Sequence, residues 1–304
     1  PTSMRYGRRM ANGIRLVTLI TPVSRLLLAL LAVAGLVFAA AGYALAQPAA
    51  PAPPAPKPEM TASCPGLISF GPQRVLPAAY RLAALAPDQV RLTYIGHSTF
   101  LIESPQLVRI ATDYNDYVRP PLVPDIVTMN KAHSTHFTLS PDPGIKLVLR
   151  GWSEDGKPAA HDQTYRDVRV RSVATNIRTW EGGGTERHGN SIFIFEVGAL
   201  CIAHLGHLHH TLTQQQLNEI GRVDVVLVPV DGTYTLDVDG MLEVVKSLNA
   251  PLMIPMHYFS SYTLDRFLDR VRSDYDVEVG DTPSVVLSKA TLPAKPKFLV
   301  LPGH

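Results

Sequence analysis

The feature that most constrains this chain is a series of short runs rich in Val, Ile, Leu and Phe, each ending near glycine, proline or histidine. They are RLTYIGHSTFLIE from Arg91, LVRIATD from Leu107, DIVTMN from Asp125, VRVRSVAT from Val168, NSIFIFEV from Asn190, ALCIAHLG from Ala199, VDVVLVPV from Val223 and APLMIPMHY from Ala250. Apolar runs of this length bounded by turn residues are strand signals, so eight or more strands are expected. Between them lie helix signals. Thr213 with Gln216 has the form of a capping box, leading into a short helix that Gly221 can stop. Asp237 to Leu248 and Thr263 to Tyr275 carry apolar residues at three- and four-residue spacing, among them Met241, Val244, Val245 and Leu248. Strands interleaved with amphipathic helices predict an α/β sandwich.

The N-terminal part is organised differently. Leu26 to Ala46 is 21 residues without a charge, preceded by arginines and ending in Ala44-Leu45-Ala46. That order is the one of a secretory signal peptide, and the segment is also long enough to serve as a membrane anchor with its arginine flank inside. Either reading places the folded part in the periplasm or another extracytoplasmic space, anchored to the inner membrane if the segment is retained. The expected organisation is a signal peptide or anchor over 1–46, a Pro/Ala-rich spacer over 47–61, and one domain over 62–304.

Charge narrows the partners. The chain has 28 basic and 26 acidic residues, and Arg5, Arg8, Arg9, Arg15 and Arg25 all precede the spacer; without these five, 23 basic groups face 26 acids. No concentrated basic face follows from that balance, so a nucleic-acid partner is not expected. The two cysteines, Cys64 and Cys201, stand in an export context that permits a disulfide. Because Cys201 lies inside an apolar run where a buried thiol is common, the expectation is two free cysteines.

The histidines carry the chemistry. Of eleven, His204, His207, His209 and His210 fall within seven residues, His133 and His136 form an H-x-x-H pair after DIVTMN, and His257 follows LMIPM. Rigid strand ends can aim several imidazoles at one point, which is what a metal site needs. His133, His136, His207 and His257 are therefore the candidate ligands. A lone histidine near a strand end more often caps a hydrogen bond, and His161, His188 and His304 are read that way.

With these residues in view, a family resemblance appears. LTYIGHSTFLIE from Leu92, the stretch from His188 to Thr213, VDVVLVPVDGTYT and IPMHY occur in the order found in metallo-β-lactamase superfamily hydrolases, in the branch of stand-alone phosphodiesterases and lactonases. The resemblance spans about residues 90 to 260. It implies a four-layer αββα sandwich with a one- or two-metal site, usually zinc, at one edge of the sheets. The family's H-x-H-x-D-H should sit at Lys131-Ala132-His133-Ser134-Thr135-His136, where Lys131 and Thr135 replace a histidine and an aspartate. A third family histidine has no counterpart near Asn176 and Thr179, and the bridging aspartate is replaced by His207. His257 is retained.

What remains is a set of neutral imidazoles, which suits one Zn²⁺, or one Cu²⁺, Ni²⁺ or Fe²⁺, better than a carboxylate-bridged pair. Asp231 is a candidate to restore charge, as ligand or as a partner orienting a histidine, or else a turn residue before Gly232. Lys131 is a candidate electrostatic stabiliser, with an exposed loop lysine as the plain alternative. His209 and His210 are candidates for proton transfer at the rim. His97 resembles a position near the metal and not on it.

Two functions follow from this. The first is an exported hydrolase that uses a metal-activated water on a phosphodiester, lactone or related small-molecule ester. The second is a catalytically inactive descendant, tethered to the membrane as a metal-binding or structural partner of another protein; fold alone does not choose between them.

Overall fold

A computed structural model of the chain describes residues 84–179 and 183–303. The expected leader, the spacer, Cys64, Trp180 and His304 lie outside these residues. Among the described residues, no helix is long and apolar enough to cross a membrane.

The strands run β1 Val90–Gly96, β2 Thr99–Glu103, β3 Arg109–Ala111, β4 Ile126–Met129, β5 Leu147–Arg150, β6 Asp162–Tyr165, β7 Val168–Arg178, β8 Thr185–Val197, β9 Leu200–His204, β10 Val225–Pro229, β11 Leu252–Met256, β12 Asp276–Val279, β13 Ser284–Leu287 and β14 Lys297–Val300. Three helices are interleaved: α1 Gln214–Ile220, α2 Val238–Leu248 and α3 Ser261–Val271. One sheet has the order β13-β1-β2-β3-β4-β5 and the other β12-β14-β11-β10-β9-β8-β7-β6. This two-sheet core is that of the expected sandwich, and the three described helices all cover the outer face of the eight-stranded sheet.

Alternation along the strands decides what each layer buries. In β8, Phe193 and Phe195 enter the core between the sheets, whereas Ile192 and Ile194 face the helices. Strand β10 does the same with Val225 and Leu227 against Val226 and Val228. Both faces of β10 and β11 are buried, and both pair in parallel with their neighbours, which accounts for their unbroken apolar sequence. Edge strands β6 and β12 read DQTY and DVEV and are largely exposed; charge at an edge opposes pairing with another chain.

The helix ends follow their caps. Thr213 and Gln216 form the reciprocal capping box, and Gly221 ends α1 at φ 72°. Asp237 caps α2 through the amide of Gly240. The third helix starts earlier and stops earlier than its apolar spacing suggests: Ser260 accepts the amide hydrogen of Thr263, so the first turn is set by the cap.

The cysteine expectation is overturned. Cys201 is disulfide-bonded, and no cysteine among the described residues is free. The apolar setting that suggested a buried thiol suits a disulfide equally, because half-cystine carries no charge and no strong hydrogen-bonding group; Cys201 is only 1% exposed.

Candidate metal centre

The two sheets turn their parallel strand ends to the same edge of the sandwich. Six segments meet there: the β1–β2 turn with His97, the stretch after β3 with Asp113, the loop after β4 with His133 and His136, the loop after β9 with His207 and His209, the segment after β10 with Asp231, and the segment after β11 with His257. Each histidine thus leaves a rigid strand at its end, where the backbone is free to turn while its base is held.

Within this group, His97, His133, His136 and His257 each offer one ring nitrogen, and these atoms lie within 4.8 Å of one another. The Nε2 of His207 adjoins the cluster, 2.9 Å from the Nε2 of His133. All four residues singled out as ligands from sequence are therefore brought together, and His97 joins them.

The anchoring of two rings determines what they present. His136 Nδ1 is 2.5 Å from Asp113 Oδ2, and His257 Nδ1 is 3.0 Å from Asp231 Oδ1. A carboxylate accepts, so in each ring the Nδ1 carries the hydrogen and the Nε2 presents its lone pair. These two Nε2 atoms face each other at 3.1 Å, and both side chains are fully buried. Two lone pairs opposed in a dry interior repel unless a positive group lies between them. The spacing is close to the roughly 3.3 Å separating two nitrogen ligands of one tetrahedral zinc. The donor set and its carboxylate supports fit a divalent transition metal.

The supports are extensive. Asp231 is fully buried and accepts the amide hydrogens of Thr233, Tyr234 and Thr235 and the hydroxyls of Thr233 and Thr235, in addition to His257. Burial alone would raise its carboxyl, but His257 and these donors more than offset that and hold it below the usual carboxylate range. With both oxygens occupied, Asp231 acts as an orienter of His257. Asp113 is also fully buried; burial pushes its carboxyl up, opposed by the nearby His204 and by donors from Asn130 and Ser98. Asn130 bonds Asp113 Oδ1 and receives the amide of Ser191, tying the two sheets together.

Five of these histidines, His97, His133, His136, His207 and His209, are held neutral. Burial, reinforced by neighbouring rings, keeps His136 and His207 well below the ordinary imidazole value, and lowers His133. The same causes push His97 down to about 3. Burial and Arg178 bring His209 to about 4. Neutral imidazole is the form that ligates a metal.

Backbone strain concentrates here as well. His97 and His257 sit at φ 51° and 56°, a region that non-glycine residues seldom occupy, and the amide of His257 donates to the carbonyl of His97 at 2.7 Å. Gly206, at φ 60°, precedes His207; a Cβ there would lie 2.4 Å from both Asn130 Nδ2 and Asn190 Oδ1, so only glycine lets these asparagines close around the loop. Asn190 Oδ1 then accepts the amide hydrogen of His207.

The remaining candidates are placed as follows. Lys131 is 47% exposed and its ammonium is paired with Glu186. His209 is buried and lies between His207 and Arg178. His161 donates to or accepts nothing at this edge; its Nε2 bonds the carbonyl of Arg150. Exposed aromatics border the cluster: Phe259 stands 5.4 Å from the His257 ring and 5.3 Å from Tyr234. Asp113, Asn130, Asn190 and Arg178 take part without having been singled out, and Thr135, noted only as the replacement of an aspartate, supports His133. Of these, Asp113 alone had a readable signal, as an acid closing an apolar strand.

A family profile described as a beta-lactamase superfamily domain matches residues 91–257. The chain belongs to the metallo-β-lactamase superfamily. Among its relatives, the UPF0173 metal-dependent hydrolase of Thermoplasma acidophilum is 26% identical over 192 residues, covering 56% of this chain and 84% of the relative. A UPF0173 metal-dependent hydrolase of Salinibacter ruber is 24% identical over 220 residues, 63% of this chain and 94% of that one. Among solved structures, a candidate zinc-dependent hydrolase of the metallo-β-lactamase superfamily from Thermotoga maritima aligns with a TM-score of 0.51 and 28% identity, over 70% of this chain and 98% of that one.

Proposed function

We propose that this superfamily member is a metal-dependent hydrolase acting on a phosphodiester, lactone or related ester, and that zinc is its ion. The observation that carries the reading is the pair of buried, carboxylate-anchored imidazoles whose Nε2 atoms face each other at 3.1 Å. The relatives described as metal-dependent hydrolases support it. When bound, a zinc ion supplies Lewis acidity and lowers the pKa of a water to about 7.

The chain's own residues do the rest. Asp113 and Asp231 fix the orientation of His136 and His257, and Thr135 Oγ1, 2.7 Å from His133 Nδ1, fixes that of His133. Phe259 and Tyr234 offer an apolar wall for the non-reacting part of a substrate. His209 is placed to exchange a proton with His207. Export of the domain, read from residues 26–46, belongs to the same proposal.

Metal content and turnover of a panel of chromogenic phosphodiesters and lactones test this on the full chain. Wild type is expected to hold about one ion and hydrolyse some of the panel, and the His133→Ala, His257→Ala double variant to hold none. Equal metal in both proteins would sink the site. Metal without turnover would favour the second reading, a metal-binding or structural partner subunit, to which the replacement of carboxylates by Thr135 and His207 lends weight.

A further inference from the structure

Two aromatic rings at the mouth of the cluster stay in solvent although the backbone that carries them is tightly held. Phe259 is 57% exposed and Tyr234 is 46% exposed. The Phe259 ring centroid lies 5.6 Å from that of His97 and 5.4 Å from that of His257. Tyr234 meets Phe259 at 5.3 Å with the ring planes 70° apart, so the pair makes a corner beside the histidines. Single apolar residues on a surface need no account, but a joined pair at the rim of a buried polar cluster marks a place for an apolar group.

The loop under Tyr234 is bound on both of its hydrogen-bonding sides. Asp231 accepts the amide hydrogens of Thr233, Tyr234 and Thr235. The carbonyls of the same three residues converge on Arg178 Nη2, at 3.2, 3.2 and 2.6 Å. Arg178 reaches them from the end of β7, and Arg266 Nη2 donates to the carbonyl of Asp231. Phe259 in turn stands between Tyr258, which packs against both apolar cores, and Ser260, which caps α3. A wall fixed in this way loses little conformational freedom when a ligand settles on it.

We infer that Tyr234 and Phe259 form a preformed subsite for an aryl or alkyl group of the substrate, and that Arg178 is the positioning residue that holds Tyr234 in it. On the proposed hydrolase reading, on which this rests, the substrate is an ester with an apolar group close to the scissile bond, because the wall adjoins His97 and His257.

Fluorescence of N-phenyl-1-naphthylamine, an uncharged apolar dye, tests the subsite on the metal-free full chain without turnover. Dye sites shared by wild type and variant cancel in the comparison. Wild type is expected to bind about one dye more than the Tyr234→Ser, Phe259→Ser double variant, as the loss of two exposed ring surfaces implies. Equal binding overturns the inference. Arg178→Met is expected to raise the dissociation constant of that dye about tenfold, and Arg178→Lys, which keeps one donor, about threefold, both with the circular dichroism of wild type. Unchanged dye affinity in Arg178→Lys and Arg178→Met overturns the role of Arg178, and Arg178→Lys alone decides it where Arg178→Met does not fold. With zinc added, kcat/KM for p-nitrophenyl hexanoate is expected to exceed that for the acetate about tenfold or more, and the double variant to lose this preference through KM with kcat kept. A preference that survives in the double variant overturns the inference. Dye binding without turnover of either ester fails the hydrolase reading and leaves the subsite standing.

Discussion

The Nε2 atoms of His136 and His257 stand 3.1 Å apart although the two residues belong to opposite sheets and 121 positions separate them. Each ring is pinned from behind by a buried carboxylate, so neither can turn away without breaking that bond. The apposition is thus built into the sandwich, and a bound cation converts a repulsive contact into an attractive one.

Metal should therefore stabilise the fold as well as equip it. With zinc in thousandfold excess over its dissociation constant, linkage predicts about 4 kcal/mol of added stability. Thermal denaturation with and without a chelator is the measurement. An unchanged midpoint would mean that the cluster does not bind zinc in the native state.

The carboxylates behind the rings should matter for affinity. Asp231→Asn keeps the side chain's size but loses the charge and one acceptor oxygen, and metal affinity is expected to fall 10- to 100-fold, the usual effect of an altered supporting partner. Asp113→Asn should act in the same way through His136. Isothermal titration with zinc reports both. Affinity equal to wild type would show that the carboxylates do not govern the rings.

Acid should destabilise the metal-free protein steeply. The folded values of His97, His133, His136, His204, His207 and His209 are all lowered, in each case chiefly by burial. Below the unfolded value near 6.5 the unfolded chain takes up protons that the folded chain refuses, so stability present above pH 6.5 is lost as pH falls. Each such histidine contributes a slope of about 1.4 kcal/mol per pH unit at most. Urea titrations between pH 7.5 and 5 should show the midpoint dropping, and a flat profile would contradict the burial of a neutral cluster.

Gly206→Ala should damage fold and site together. The added Cβ meets Asn130 and Asn190 at 2.4 Å and the backbone stays at φ 60°, so a loss of about 2–4 kcal/mol is expected. Circular dichroism melts measure it. A variant as stable as wild type would mean that the two asparagines shift freely.

Much of the site could be read before the fold was known, for identifiable reasons. His133, His136, His207 and His257 each follow an apolar run, and a strand of period two delivers its terminal residue to a sheet edge whatever the tertiary details. The same alternation made β8, β10 and β11 legible. Strands β5, β6, β12, β13 and β14 were not singled out, because they are short and several are charged edges. Asp113 escaped notice because an acid closing a strand looks like any turn residue, and its meaning depends on His136, 23 positions away.

From its own residues the chain determined the sandwich, its helix caps and the gathering of histidines at strand ends, because periodicity, capping and turn chemistry act over a few neighbouring positions. Only the tertiary structure decided which nitrogen of each ring faces the centre. That choice depends on groups from distant segments: the Arg178 amide behind His209, Asp113 behind His136 and Asp231 behind His257. It also decided that His97 and His257 adopt a left-handed backbone, with the His257 amide bonded to the His97 carbonyl, because nothing in a histidine's chemistry requires that conformation.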